Sequence, residues 1–231
     1  MEAIILAGGK ATRLGEAARG LPKALVPVAG RPLAAYQVAQ LVRAGVERVI
    51  VSCGTEQEAA FHEKLSGLGA EIVTAAEPKP LGRGGGLRFA AAQRQESGAV
   101  FALNGDELQD LELDALLDVH RAHGGAATIV VAPLVSQFGV VELGDDDRIA
   151  GFREAPRLPH WVSAGVYVLD EEALERLPQH GDHEQSTFPE LSAEGKLYGY
   201  RHEGLWITVN TPKDLQRAEA YYSTRPELQP T

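Results

Sequence analysis

Short apolar runs alternate with longer segments of helical periodicity along the first 135 residues, and no other feature restricts the fold as strongly. The runs Ala3–Leu6, Arg48–Ser52, Glu71–Ala75, Ala99–Leu103 and Ala127–Ala132 read as strands. Between them, Leu33–Ala44, Glu56–Ser66, Gly86–Gln95 and Asp114–His123 read as helices. Leu33, Tyr36, Val38, Leu41 and Val42 give the first of these an apolar face at near-helical spacing, and Ala44-Gly45 suits its C-cap. Alternation of this kind requires crossover connections, so a mainly parallel sheet covered by helices is expected. In such a sheet, ligands bind beyond the carboxyl ends of the strands.

Beyond residue 135 the rhythm shifts to shorter β candidates at Gly139–Glu142, Arg148–Phe152 and Val162–Leu169. Helical segments follow near Glu171–Arg176 and Phe188–Glu194, then two short strands and a terminal helix, Pro212–Tyr222. No repeat, low-complexity linker or long Pro/Gly-rich hinge divides the sequence, so residues 1–231 are expected to form one α/β domain. Residues 1–135 would be a nucleotide-binding half and 136–231 an acceptor-binding half. With 231 residues, 44% hydrophobic and 23% charged, the chain can bury a large core.

No apolar run approaches the ~18 residues that span a bilayer, and MEAIILAGG lacks the basic start of a signal peptide, so no membrane role is expected. A single cysteine, Cys53, excludes an intramolecular disulfide framework, and a cytoplasmic location is expected. A net charge of −10 disfavours nucleic acid as a partner. Any anionic ligand must therefore be held by a local cationic pocket.

Such a pocket is written at the end of the first strand. Ala7-Gly8-Gly9 turns the chain, and Lys10, Thr12 and Arg13 follow at once, with Lys23 close behind. Missing side chains at Gly8 and Gly9 let a ligand approach the backbone, whose amides can cradle phosphate oxygens. The bland reading is a tight turn bearing solvated cations. It is not a Walker A loop, because Ala11 follows Lys10 where Ser or Thr is needed. Asn104-Gly105-Asp106 lies at a second strand end, where a carboxylate beside phosphates calls for a divalent cation, and hard oxygen ligands suit Mg²⁺. Its bland counterpart is an Asx turn. Gly82, Gly84, Gly85 and Gly86 read either as a ligand loop or as a glycine-rich entry to a helix. His120, His123, His180 and His183 lack an obvious third metal ligand, and Cys53 reads as a small buried residue.

LAGGKATRL followed by PKALVPVAGRP resembles the N-terminal signature of the sugar-nucleotide pyrophosphorylases, the NDP-sugar nucleotidyltransferases. EPKPLGRGGGLRFA, ALNGDELQDLEL, FGVVEL, FREAP, SAGVYVL and LWITVNTPKDL extend the resemblance over nearly the whole chain. The resemblance implies a Rossmann-like three-layer sandwich with a mainly parallel mixed sheet. It also implies a reaction joining an NTP to a sugar 1-phosphate with release of pyrophosphate. By the same resemblance Leu6, Ala7, Gly8, Gly9, Glu77, Gly82 and Gly85 would bind nucleotide. Arg13 would hold the leaving phosphates, Lys23 the α-phosphate, and Asp106 Mg²⁺. Asn104, Gly139, Glu154 and Gly165 would bind the acceptor.

The sequence departs from that pattern at Ala11, Arg83, Ala155 and Thr208. Ala155 stands where a lysine would grip the acceptor phosphate, and Arg153 and Arg157 flank it as possible replacements. Thr208 stands where a second metal-binding aspartate is expected, and Asn210 replaces the following glycine. With Thr208 uncharged, Asp106 is expected to be the only protein carboxylate on the metal. Glu77, five residues before Gly82, is acceptor-only and suits the N1–H and N2–H₂ donors of guanine, which favours GTP. A non-sugar phosphate acceptor, or a silent nucleotide-binding regulator, are the alternatives that these departures leave open. So is homo-oligomerisation.

Overall fold

The first strand, β1 (Glu2–Leu6), sends Ala3 and Ile5 into one layer of the core and Ile4 into another, so it must lie between two layers of helices. The structure, a computed structural model, describes residues 1–230. After β1 come the short strands β2 (Pro27–Val28) and β3 (Arg31–Pro32), then α1 (Leu33–Arg43), β4 (Arg48–Gly54) and α2 (Glu58–Leu65). Next are β5 (Glu71–Glu77), α3 (Gly82–Ala91), β6 (Val100–Asn104), β7 (Glu107–Gln109) and α4 (Leu113–His123). The second half comprises β8 (Ala127–Val135), β9 (Val140–Leu143), β10 (Ile149–Arg153), β11 (Arg157–Leu169), α5 (Glu171–Glu175) and α6 (Thr187–Ala193). It ends with β12 (Leu197–Arg201), β13 (Trp206–Thr208) and α7 (Pro212–Ser223).

Seven strands form one sheet in the order β12-β8-β11-β6-β1-β4-β5. β1 pairs in parallel with β4 and β6, as β4 does with β5 and β12 with β8, whereas β11 runs antiparallel to both its neighbours. The sheet is therefore mainly parallel with one reversed strand. Phe61, Leu41 and Leu116 bring α2, α1 and α4 onto one face, and Leu87, Leu174 and Leu191 bring α3, α5 and α6 onto the other. A third cluster, including Leu14, Tyr36, Leu108, Ile207 and Tyr222, binds α7 to the two-stranded pair of β7 and β13. No described helix is long and apolar enough to cross a membrane.

Most elements fall within two residues of their expected ends. β8 runs on to Val135, three residues beyond its expected end, β11 begins at Arg157 rather than Val162, and α3 starts at Gly82 rather than Gly86. Glycine is a poor helix former, but here packing overrides propensity. A Cβ on Gly84 would lie 2.7 Å from the amide nitrogen of His183, and one on Gly85 would lie 2.7 Å from the carbonyl of Gln179. The first turn of α3 thus meets the chain at 179–183 backbone to backbone. β7 was not expected at all, because three residues carry too little periodicity to read.

Phe61 is fully buried between α2 and the sheet. Phe61→Ala is expected to lower unfolding stability by about 3–5 kcal/mol, measured by denaturant titration, because no neighbour can fill the space.

Candidate active site

A cavity of about 590 Å³ opens beyond the carboxyl ends of β1, β4, β5 and β6. The turn Leu6–Lys10 forms one wall, Glu77–Pro80 another, and Asn104–Glu107 the floor. Gly105 makes that floor possible. Its amide donates to the Leu6 carbonyl at 2.8 Å, and a Cβ there would meet the same oxygen at 2.6 Å. Lys23 is anchored by its backbone amide, which donates to the Gly9 carbonyl at 3.3 Å. Its Nζ donates to Asp106 Oδ2 and to Asn210 Oδ1, each at 2.5 Å. Three segments distant in sequence thus converge on one ammonium group.

Glu107 sits beside this group and is 6% exposed. The antiparallel register places it opposite Thr208, and its Oε2 accepts from Thr208 Oγ1 and Trp206 Nε1, both at 2.8 Å. Burial, reinforced by the Asp106 charge, pushes its carboxyl up to about 8, against the pull of those two bonds and of Lys23. Gln37 supports the floor from below, donating to the carbonyls of Asn104 at 2.8 Å and Glu107 at 2.9 Å. Gly165 closes over the same pair. With φ of +70°, a side chain there would be strained, and its Cβ would lie 2.7 Å from Asn104 Nδ2 and 2.8 Å from Glu107 Cγ.

Across the cavity, Glu77 Oε1 accepts from Ser52 Oγ at 2.7 Å and Oε2 from the Leu81 amide at 2.9 Å. Each oxygen keeps a lone pair for a ligand. A Cβ on Gly86 would be 2.7 Å from Glu77 Oε1, so the carboxylate lies against the backbone of α3. Leu6, Ala7, Gly8, Gly9, Lys23, Glu77, Gly82, Asn104 and Asp106 all line the cavity. Gly85 does not, being pressed on the Gln179 carbonyl. Arg13 is exposed on the turn after Gly9, outside the cavity wall, whereas Lys10 lines it.

Arg83 also lines the cavity, but Asp182 and Glu184 neutralise it, the latter at 2.8 Å. Gly139 and Glu154 meet at the root of the β9–β10 hairpin, where Glu154 Oε2 is 3.1 Å from the Cβ position of Gly139, and neither lines the cavity. Arg153 pairs with Glu142 at 3.2 Å, and Arg157 with Glu203 at 3.1 Å, both on the exposed surface. His120 and His123 both bond Thr128, and burial pushes the Cys53 thiol up to about 12, in line with structural roles.

Asp106 Oδ2 and Asn210 Oδ1 bring two hard oxygens to one point that already accommodates a cation, Lys23 Nζ. That donor set fits Mg²⁺. Among the described residues no three His, Cys, Asp or Glu side chains gather into a ligand set, so phosphate and water would complete the shell. Sequence reasoning missed Asn210 and Glu107. The only available signal for Glu107 was its adjacency to Asp106, and alternation along an extended chain argues against two neighbours sharing a site.

The profile described as nucleotidyl transferase matches residues 2–225. The chain belongs to that family. It is 34% identical over 233 residues to a mannose-1-phosphate guanylyltransferase of Mycobacterium tuberculosis, covering 95% of this chain and 64% of that one. It is likewise 34% identical over 234 residues to the catalytic subunit beta of mannose-1-phosphate guanylyltransferase from Danio rerio, covering 96% and 64%. The chain thus spans less than two thirds of the length of these relatives. Among solved structures, a candidate glucose-1-phosphate thymidylyltransferase from Bacillus anthracis, in complex with a sucrose, aligns with a TM-score of 0.77 at 19% identity over 96% of this chain and 95% of that one. HddC from Yersinia pseudotuberculosis, complexed with GMP-PN, aligns at 0.71 and 22%, over 96% and 99%. These matches establish the expected nucleotide-diphospho-sugar transferase fold.

Behind the glycine-rich start of α3, His183 is fully buried, and neither ring nitrogen has a hydrogen-bond partner among the described residues. Burial pushes it down from 6.5 to about 4, against the opposing pull of Glu184 and Asp182. The neutral ring therefore contributes stability in full above 6.5, and that contribution is lost as pH falls from 6.5 through about 4. Denaturant midpoints measured across this range are expected to fall with acidification. His183→Leu is expected to flatten that fall.

Proposed function

We propose that this chain joins a nucleoside triphosphate to a sugar 1-phosphate, giving an NDP-sugar and pyrophosphate, with GTP preferred and Mg²⁺ as the metal. The observation that carries this reading is the Lys23–Asp106–Asn210 contact at the foot of the glycine turn, inside a cavity large enough for a nucleotide. An oxygen of the acceptor phosphate attacks the α-phosphorus. The new P–O bond forms as the bridging bond to the β-phosphate breaks, and its electron pair leaves with pyrophosphate. The acceptor phosphate is already ionised near neutrality, so no protein base is needed, and catalysis rests on bringing two polyanions together and stabilising their charge.

Gly8 and Gly9 offer backbone amides to the triphosphate, and Lys10 and Arg13 approach the leaving pyrophosphate from the turn above. Lys23 shifts from its carboxylate to the α-phosphate. Bound by Asp106 and Asn210, Mg²⁺ would neutralise phosphate charge and align the triphosphate for attack. Glu77 accepts from the N1–H and N2–H₂ edge of guanine. Asn104, Gly165, Gly139 and Glu154 receive the sugar. The names of the relatives support mannose 1-phosphate as the first acceptor to try.

Pyrophosphate release, screened with the four common NTPs against a panel of sugar 1-phosphates and Mg²⁺, is expected with GTP and one hexose 1-phosphate. Faster release with UTP overturns the base assignment. Release only with non-sugar phosphates redirects the acceptor, and nucleotide binding without turnover refutes the enzyme. Lys23→Met is expected to lower kcat by at least about 10²-fold with the fold intact by circular dichroism. Asp106→Asn is expected to remove metal-dependent activity.

A further inference from the structure

The buried carboxyl of Glu107 has no role in the chemistry proposed above, yet it stands inside the site. It lines the cavity together with Asp106, Thr208 and Asn210. The pairing of β7 with β13 brings them together. Its register sets Glu107 opposite Thr208, and the Val209 amide donates to the Asp106 carbonyl at 2.9 Å, so the two strand ends reach the cavity side by side. Directly opposed residues of an antiparallel pair carry their side chains on the same side. Thr208 Oγ1 and Trp206 Nε1 both donate to Glu107 Oε2, whereas Oε1 receives no hydrogen bond among the described residues and is not sealed from the cavity.

A carboxylate taken this far out of water is paired with a cation or ligates a metal. Glu107 forms no ion pair among the described residues, because the cation beside it, Lys23, is taken up by Asp106 and Asn210. When Lys23 turns to the α-phosphate, two consecutive carboxyls face the cavity with no protein cation between them, and a divalent ion offsets their repulsion. Thr208 shows the other side of the same arrangement. It occupies the strand position where an acid was expected, and the acid stands across the ladder from it. We propose that Glu107, through Oε1, is the second protein carboxylate on the metal beside Asp106, with Thr208 and Trp206 as the residues that position it. The inference rests on the metal site at Asp106 and Asn210 and adds to it a ligand from β7.

Mn²⁺ binding tests the assignment, measured by electron paramagnetic resonance on the full chain with a GTP analogue carrying a methylene bridge between its α- and β-phosphates. Glu107→Gln keeps an oxygen for Trp206 and Thr208 but loses the charge. It is expected to leave far-UV circular dichroism unchanged and to weaken Mn²⁺ binding at least about tenfold. Wild type made by cell-free synthesis with [¹³C]glutamate gives a second reading that needs no variant. Electron–nuclear double resonance of the bound Mn²⁺ is expected to show coupling to a labelled carboxylate, and its absence overturns direct ligation. Asp106→Asn separates the inference from the site on which it rests. Weaker Mn²⁺ binding in Asp106→Asn but not in Glu107→Gln makes Glu107 a structural group, and the inference fails while the site stands. Unchanged binding in both variants, or no Mn²⁺ bound by the wild type, overturns the two together.

Discussion

The ammonium of Lys23 organises the centre of the molecule. Asp106 and Glu107 are consecutive residues, both turned toward one cavity, and without a cation between them their charges would oppose each other at low dielectric. Lys23 meets Asp106 directly and lowers the cost of ionising Glu107. It also donates to Asn210 Oδ1, which ties the loop after β13 to the turn after β1. Asp106 is partly open to solvent, at 30% exposure, so the pair stays available to an incoming anion rather than sealed as a structural bridge.

Close backbone approach is the second constraint, and on the cavity floor glycine meets it at two places. At Gly105 the chain between β6 and β7 runs against the carbonyl of Leu6, and at Gly165 the one reversed strand crosses Asn104 and Glu107. Both contacts set the width of the cavity floor. Any side chain at either position would push apart segments that hold Asp106 and Asn104.

The substitution at Thr208 reads differently in three dimensions. An uncharged residue stands in the strand where an acid was expected, yet its cross-strand neighbour is Glu107, and the two share a hydrogen bond. The site therefore keeps two carboxylates on adjacent residues of β6–β7, one facing the ammonium and one held by Trp206 and Thr208. The threonine hydroxyl acts on the buried carboxylate and takes no part in the Lys23 contact.

Hydrophobic alternation and helical periodicity are local properties, so the sequence by itself determined the order of elements, the parallel sheet and the strand ends that carry Gly8, Glu77 and Asp106. The glycine and proline punctuation of LAGGKATRL and PKALVPVAGRP likewise determined the family and the end of the sheet at which the cavity opens. The pairing of β7 with β13, the convergence of Lys23 with Asn210 over 187 residues, and the diversion of Arg153 and Arg157 onto Glu142 and Glu203 belong to the tertiary structure alone. So does the packing of Gly85 against Gln179. Each depends on which segments meet in space, and a side chain's partner is fixed by packing and charge between segments whose separation along the chain carries no information about their distance.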